Sequence, residues 1–159
     1  MTTVAPPSTL AIRVETKARG QGSKRHVGGG RMIEQSKHLP EFRRLIAAAA
    51  RAEAARIGWA MLGRSVPARV HVTVLVKRPR VHYRSGRYAD QLRPAAPGFW
   101  AVTTPDGDKV KRAILDALTA AGIWADDRQG ASLHIDRMWA EADVVQVVVE
   151  RLPERGWVA

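Results

Sequence analysis

The stretch PDGDKVKRAILDALTAAGIWADDRQ, residues 105–129, decides how the rest of the chain is read. Inside it, Val110, Ile114, Ala117, Leu118 and Ala121 recur at helical spacing, which predicts an amphipathic helix over residues 107–121. Gly122 is placed to stop that helix. Asp106, Asp108, Asp116, Asp126 and Asp127 make this stretch the home of five of the chain's 15 carboxylates.

Working outward, residues 131–140 (ASLHIDRMWA) and 142–152 (ADVVQVVVERL) read as two strands, expected to form an antiparallel pair. Upstream, RVHVTVLV at 69–76 alternates β-branched residues as a strand does, with His71 as a strand-face residue. Residues 40–62 are rich in Ala, Leu, Glu and Arg, and predict a long amphipathic helix through Phe42, Leu45, Ile46, Ala49, Ile57, Trp59 and Met61. A first strand is expected at 8–16 and a frayed tail at 153–159. The order implies one α/β or α+β domain over residues 1–159: a mixed sheet of about four strands with two main helices on one face. Trp124 is expected in the core or at a contact between subunits.

Lys and Arg number 26 against 15 acidic residues, a net charge of +11, so a polyanion is the expected partner, nucleic acid first. No cysteine occurs, which excludes disulfides, thiolate zinc sites and a cysteine nucleophile. The N-terminus lacks a secretory pattern and no apolar run approaches 20 residues, so a soluble, unexported protein with no membrane partner is expected.

Two basic stretches fit that partner. Residues 17–31 (KARGQGSKRHVGGGR) form a glycine-rich arm with no apolar period, where Lys24, Arg25 and Arg31 would meet phosphates; it lacks the spacing of a Walker A loop. Residues 77–104 form a long basic loop in which Lys77, Arg78, Arg80, Arg84 and Arg87 interleave with Tyr83 and Tyr88, as suits a surface touching DNA backbone or unstacked bases. Lys109 and Lys111 add charge beside the acidic residues.

One aspartate at a helix start needs no explanation beyond capping. Asp106 and Asp108 together, with the Asp126–Asp127 pair beyond the same helix, call for a cation, because adjacent carboxylates repel. Oxygen-only ligands suit Mg2+ or Mn2+, which would activate water and neutralise a leaving oxygen in phosphodiester hydrolysis. Arg112, one turn after Asp108, is placed either to stabilise transition-state charge or to pair with Asp108 or Asp116. The five histidines show no metal-binding spacing.

The stretch resembles the signature of the RusA family of Holliday junction resolvases: P-D-x-D-N, a Lys or similar base, a D-A-L helix, then D-D-x-Q-V. QGSKR at 21–25, the 70–76 strand and the final strands extend the likeness to phage-encoded members. The resemblance implies a homodimeric, Mg2+-dependent endonuclease that cuts four-way or other branched DNA in recombination and repair, in a bacterial cytoplasm and of phage or prophage origin. The family's essential carboxylates fall on Asp106, Asp108 and Asp127, with Asp126 beside them. Lys109 stands where the family has Asn, Arg112 where it has a catalytic Lys, and Gly130 where it has Val. Arg cannot serve as a general acid as Lys can, so Arg112 is assigned charge stabilisation, with Lys109 and Lys111 in reserve.

A helix over 108–121 would hold its two ends about 20 Å apart. Either the chain folds back after Gly122, or a two-fold dimer builds each centre from Asp106 and Asp108 of one chain and Asp126 or Asp127 of the other. The rivals are a basic nucleic-acid binder without catalysis, in which the carboxylates only cap, and the same chemistry on flap or fork DNA.

Overall fold

In the computed structural model, which describes residues 6–22, 24–26, 28–30, 32–34 and 37–154, the elements run β1 (Thr9–Val14), β2 (Lys24–His26), β3 (Met32–Glu34), α1 (Leu39–Ile57), β4 (Ala68–Lys77), α2 (Gly107–Ala120), β5 (Gly130–Ala140) and β6 (Val144–Arg151). Alternation builds the central sheet. Val70, Val72 and Val74 of β4 and Val145, Val147 and Val149 of β6 are buried, while Arg69 and His71 are exposed. The buried residues Phe42, Ile46 and Ala50 of α1 and Val110, Ile114 and Leu118 of α2 join those valines in one core. Trp124, at 1% exposure, belongs to that core, and its indole N–H donates to Thr119 Oγ1 at 2.7 Å. The fold is α+β, with a four-stranded mixed sheet and two main helices. No helix among the described residues is long and apolar enough to cross a membrane.

The sheet order is β1-β6-β4-β5, which corrects one expectation. β5 and β6 are not a pair: β4 lies between them, parallel to β5 and antiparallel to β6. Residues 141–143 can step over one strand because three residues reach about 10 Å, twice the strand spacing. The step is fastened, since the Lys77 N–H donates to Asp143 Oδ1 at 2.9 Å and the Arg78 N–H to the Ala140 carbonyl at 2.9 Å.

Helix α1 also stops earlier than its periodicity predicts. Gly58 takes a left-handed conformation (φ 71°), and the Trp59 N–H turns back to the Ala54 carbonyl at 2.8 Å. The apolar residues beyond it serve a loop: Trp59 Nε1 donates to the Ile123 carbonyl, and Leu62 bridges to Trp124. The glycine-rich arm, expected to lack an element, contains the short strand β2, which pairs antiparallel with β3 just beyond the arm's end. Arg31 and the side chains of Lys24 and Arg25 lie outside the described residues.

Candidate active site

Asp106 is the N-cap residue of α2, yet its side chain accepts no capping hydrogen bond. Capping therefore does not occupy this carboxylate. Its side chain is 71% exposed and that of Asp108 91% exposed, and their cationic neighbours are lysines one turn on: Lys109 Nζ at 3.7 Å from Asp106 and Lys111 Nζ at 3.2 Å from Asp108. Exposed pairs of this kind hold weakly and yield readily to a stronger cation. Arg112 is exposed and makes no ion pair among the described residues, because Asp116 is taken by Arg43 of α1 at 2.6 Å and Asp108 by Lys111. Its guanidinium thus stays unengaged one turn from Asp108.

The approach to this helix start is held by a residue that sequence reasoning missed. Arg137 of β5 donates through Nη1 to the carbonyls of both Thr103 and Pro105, fixing the segment that leads into Asp106. An isolated arginine within a strand carries no pattern that would have flagged it.

Beyond the other end of α2, Asp126 begins a 3-10 turn over Asp127–Gln129. Its carboxylate accepts from the Arg128 backbone N–H at 2.9 Å and from the Arg128 guanidinium at 3.0 and 2.8 Å. Those side-chain bonds, then the backbone one, hold the Asp126 carboxyl far below the usual carboxylate range. A depressed folded-state value favours the fold above the unfolded-state value, near pH 4, and the contribution disappears as pH falls through it. Asp126→Asn is accordingly expected to flatten the acid limb of the stability curve below about pH 4, as followed by thermal midpoint against pH. Asp127 is exposed and is not a partner of the Arg128 guanidinium bonds.

The turn itself is held by Gln129, the one buried polar residue among those described, at 6% exposure. Its Oε1 accepts from the N–H groups of Ala125 and Asp126, both at 2.9 Å. Its Nε2 donates to the carbonyls of Gly63 at 2.7 Å and Val66 at 3.0 Å. It also reaches the Leu62 carbonyl at 3.4 Å, so one amide ties the acidic turn to the loop after α1 through five backbone groups.

These two acidic pairs do not meet within one chain. Gly107 packs against Ile135, five residues into β5, whereas Asp127 precedes Gly130 at that strand's start. Five strand residues span about 16 Å, and the 14 residues of α2 about 21 Å. After Gly122 the chain passes beside Leu62 and enters β5 without returning to the helix start. Among the described residues no three His, Cys, Asp or Glu side chains converge as a metal would need.

The basic loop after β4 is not structureless. The Tyr83–Leu92 bridge, the Arg84 N–H on the Gln91 carbonyl (2.8 Å) and the Arg93 N–H on the His82 carbonyl (2.9 Å) close a small lobe. Its end pairs with β5 through Ala101 and Trp139, leaving Phe99 and Trp100 exposed and edge-to-face at 5.0 Å. The arginines divide by task. Arg78 spends its guanidinium on the carbonyls of Pro97 and Gly98, and Arg80 donates to the Ala89 carbonyl while lying over Tyr83. Arg84 and Arg87 both lie over Tyr88, at 4.7 and 4.8 Å, a pair of exposed charges gathered on one ring. Lys77 is exposed at the end of β4.

A family model described as Endodeoxyribonuclease RusA matches residues 14–150, which takes in both helices, β4, β5 and all but the last residue of β6, and leaves out β1 up to its final residue. No curated protein matches the chain.

Proposed function

We propose, from the premise that the chain belongs to the RusA family of endodeoxyribonucleases, that it resolves four-way junctions and related branched DNA by paired, Mg2+- or Mn2+-dependent cleavage as a homodimer. The observation that carries this reading is the division of exposed carboxylates between the two ends of α2 on a strongly basic chain. One subunit supplies Asp106 and Asp108, and its partner supplies Asp127. An isologous contact makes two such centres, which suits two nicks across one junction.

Carboxylate oxygens on exposed side chains, held only by lysines, fit a hard divalent ion. Bound there, the ion would lower the pKa of water and neutralise charge on the phosphate. The remaining work falls to the chain. Arg112, unengaged and one turn from Asp108, stabilises the charge that gathers on phosphorus-bound oxygens as water attacks and the leaving oxygen departs. Lys109 and Lys111 release their aspartates to the cation and turn to the phosphate backbone. Asp126 acts through the turn, since Arg128 engages both of its oxygens, and so Asp127 is the ligand at that end.

DNA is held by Arg84 and Arg87 on the lobe, by Lys77, and by Lys24, Arg25 and Arg31 of the arm, with Arg78 and Arg80 keeping the lobe in shape. Replacing Arg84 and Arg87 together by Ala should weaken junction binding and make the salt dependence of log K shallower by about 2, one unit for each phosphate that is no longer neutralised. An unchanged slope in fluorescence anisotropy titrations would remove these two residues from the interface. The function is tested with end-labelled four-way junction and matching duplex, each with Mg2+ or EDTA. Symmetric Mg2+-dependent nicks in the junction are expected; equal cutting of the duplex would leave a nuclease without structure specificity, and binding without cutting would contradict the reading.

A further inference from the structure

The acidic residues do not account for everything at the start of α2. Gly20 lies against it so closely that an added Cβ would stand 2.8 Å from Pro105 Cβ and 2.9 Å from Lys109 Cβ. The next residue, Gln21, donates its backbone N–H to the Lys109 carbonyl at 3.0 Å. The glycine-rich arm is thereby seated on the helix turn that carries Asp106 and Asp108. Gln21 then buries its side-chain Oε1 with no hydrogen-bond partner among the described residues. A buried acceptor without a donor is costly, so this oxygen is either a liability or is kept for a donor that arrives with function.

We propose that Gln21 is a positioning residue of the active centre, its amide oxygen accepting a hydrogen bond from water on the divalent ion held at Asp106 and Asp108. The proposal rests on the metal-dependent reading above. A small hard cation keeps several of its waters, and each of them is a donor in need of an acceptor. An amide oxygen meets that need without adding charge to a site that already holds two carboxylates. Partners of this kind orient what the ion binds, and losing one typically weakens metal binding 10- to 100-fold. Sequence reading placed Gln21 in the arm and gave it no role, because nothing in the arm's composition shows that Gly20 brings it onto α2.

The test is a titration of DNA-free, full-length protein with Mn2+, free ion being followed by electron paramagnetic resonance, alongside a thermal melt. Gln21→Leu is expected to weaken Mn2+ binding about tenfold while leaving the thermal midpoint unchanged or higher, since an unpaired buried acceptor has been replaced by an apolar group. Gln21→Glu, which keeps an acceptor oxygen, should bind Mn2+ at or above the wild-type level. Unchanged Mn2+ affinity in Gln21→Leu, with Asp108→Asn abolishing binding, would overturn the role of Gln21 alone. A lowered midpoint accompanying weaker binding would reduce Gln21 to a structural residue. No Mn2+ binding by the wild type would overturn the metal reading and this inference with it.

Discussion

Asp108→Asn is expected to abolish nearly all cleavage, by on the order of 10²- to 10³-fold in rate, while junction binding is retained or slightly tightened. The substitution keeps the shape of a 91%-exposed side chain and breaks only its 3.2 Å ion pair with Lys111, so the fold has little to lose. It removes one of two carboxylate charges at the start of α2, and with it the hold on a divalent ion. Binding follows the opposite sign, because deleting a negative charge from a surface that must approach phosphates lessens repulsion. Single-turnover cleavage and binding measured in Ca2+ separate these two effects. A variant that still cuts at a tenth of the wild-type rate or better would take Asp108 out of the chemistry.

The second large effect is on stability. Gln129→Leu leaves the Asp126 N–H and the Val66 carbonyl without a partner, while the Ala125 N–H and the Gly63 carbonyl keep only their backbone bonds to the Leu62 carbonyl (3.3 Å) and the Val66 N–H (2.9 Å). Roughly 3 kcal/mol of folding stability should be lost, more than one hydrogen bond, because two backbone groups are left unpaired and two more are weakened. Cleavage should fall further than unfolding explains, even well below the melting transition, because the turn that aims Asp127 has lost its tie to the loop after α1. Gln129→Glu separates the two halves of the amide. The introduced carboxylate can accept from both N–H groups but meets the two carbonyls without a donor, so it should be destabilising near neutral pH and recover in part as acid protonates it. Denaturant titrations at pH 5 and pH 8 check that direction, and equal stability at both would contradict the assigned bonding.

Much of the fold could be read from apolar spacing. The valines of β4 and β6 and the stripe through Val110, Ile114 and Leu118 mark their faces directly, since burial of one face imposes the period. What spacing does not carry is neighbourhood. β5 and β6 are joined by three residues and look like a hairpin, yet the strand between them is decided by the Asp143 tie to Lys77 and by burial of β4 on both edges. The end of α1 was overrun because Trp59 and Leu62 continue an apolar pattern after the left-handed turn at Gly58. In the site, the carboxylates stood out because their charge is anomalous on a basic chain. The roles of Arg137, Gln129 and Gln21 did not, because the backbone groups that place or engage them come together only in three dimensions.

The central claim is that a working centre needs both ends of α2 and therefore two chains, and mixing inactive subunits tests it most directly. Asp108→Asn and Asp127→Asn proteins, each inactive alone, are unfolded together, refolded and assayed on a four-way junction. Random pairing makes half the dimers mixed, each with one centre drawing Asp108 and Asp127 from unmutated positions, so nicking should return to about a quarter of the wild-type level. A mixture no more active than either variant alone would contradict the shared centre.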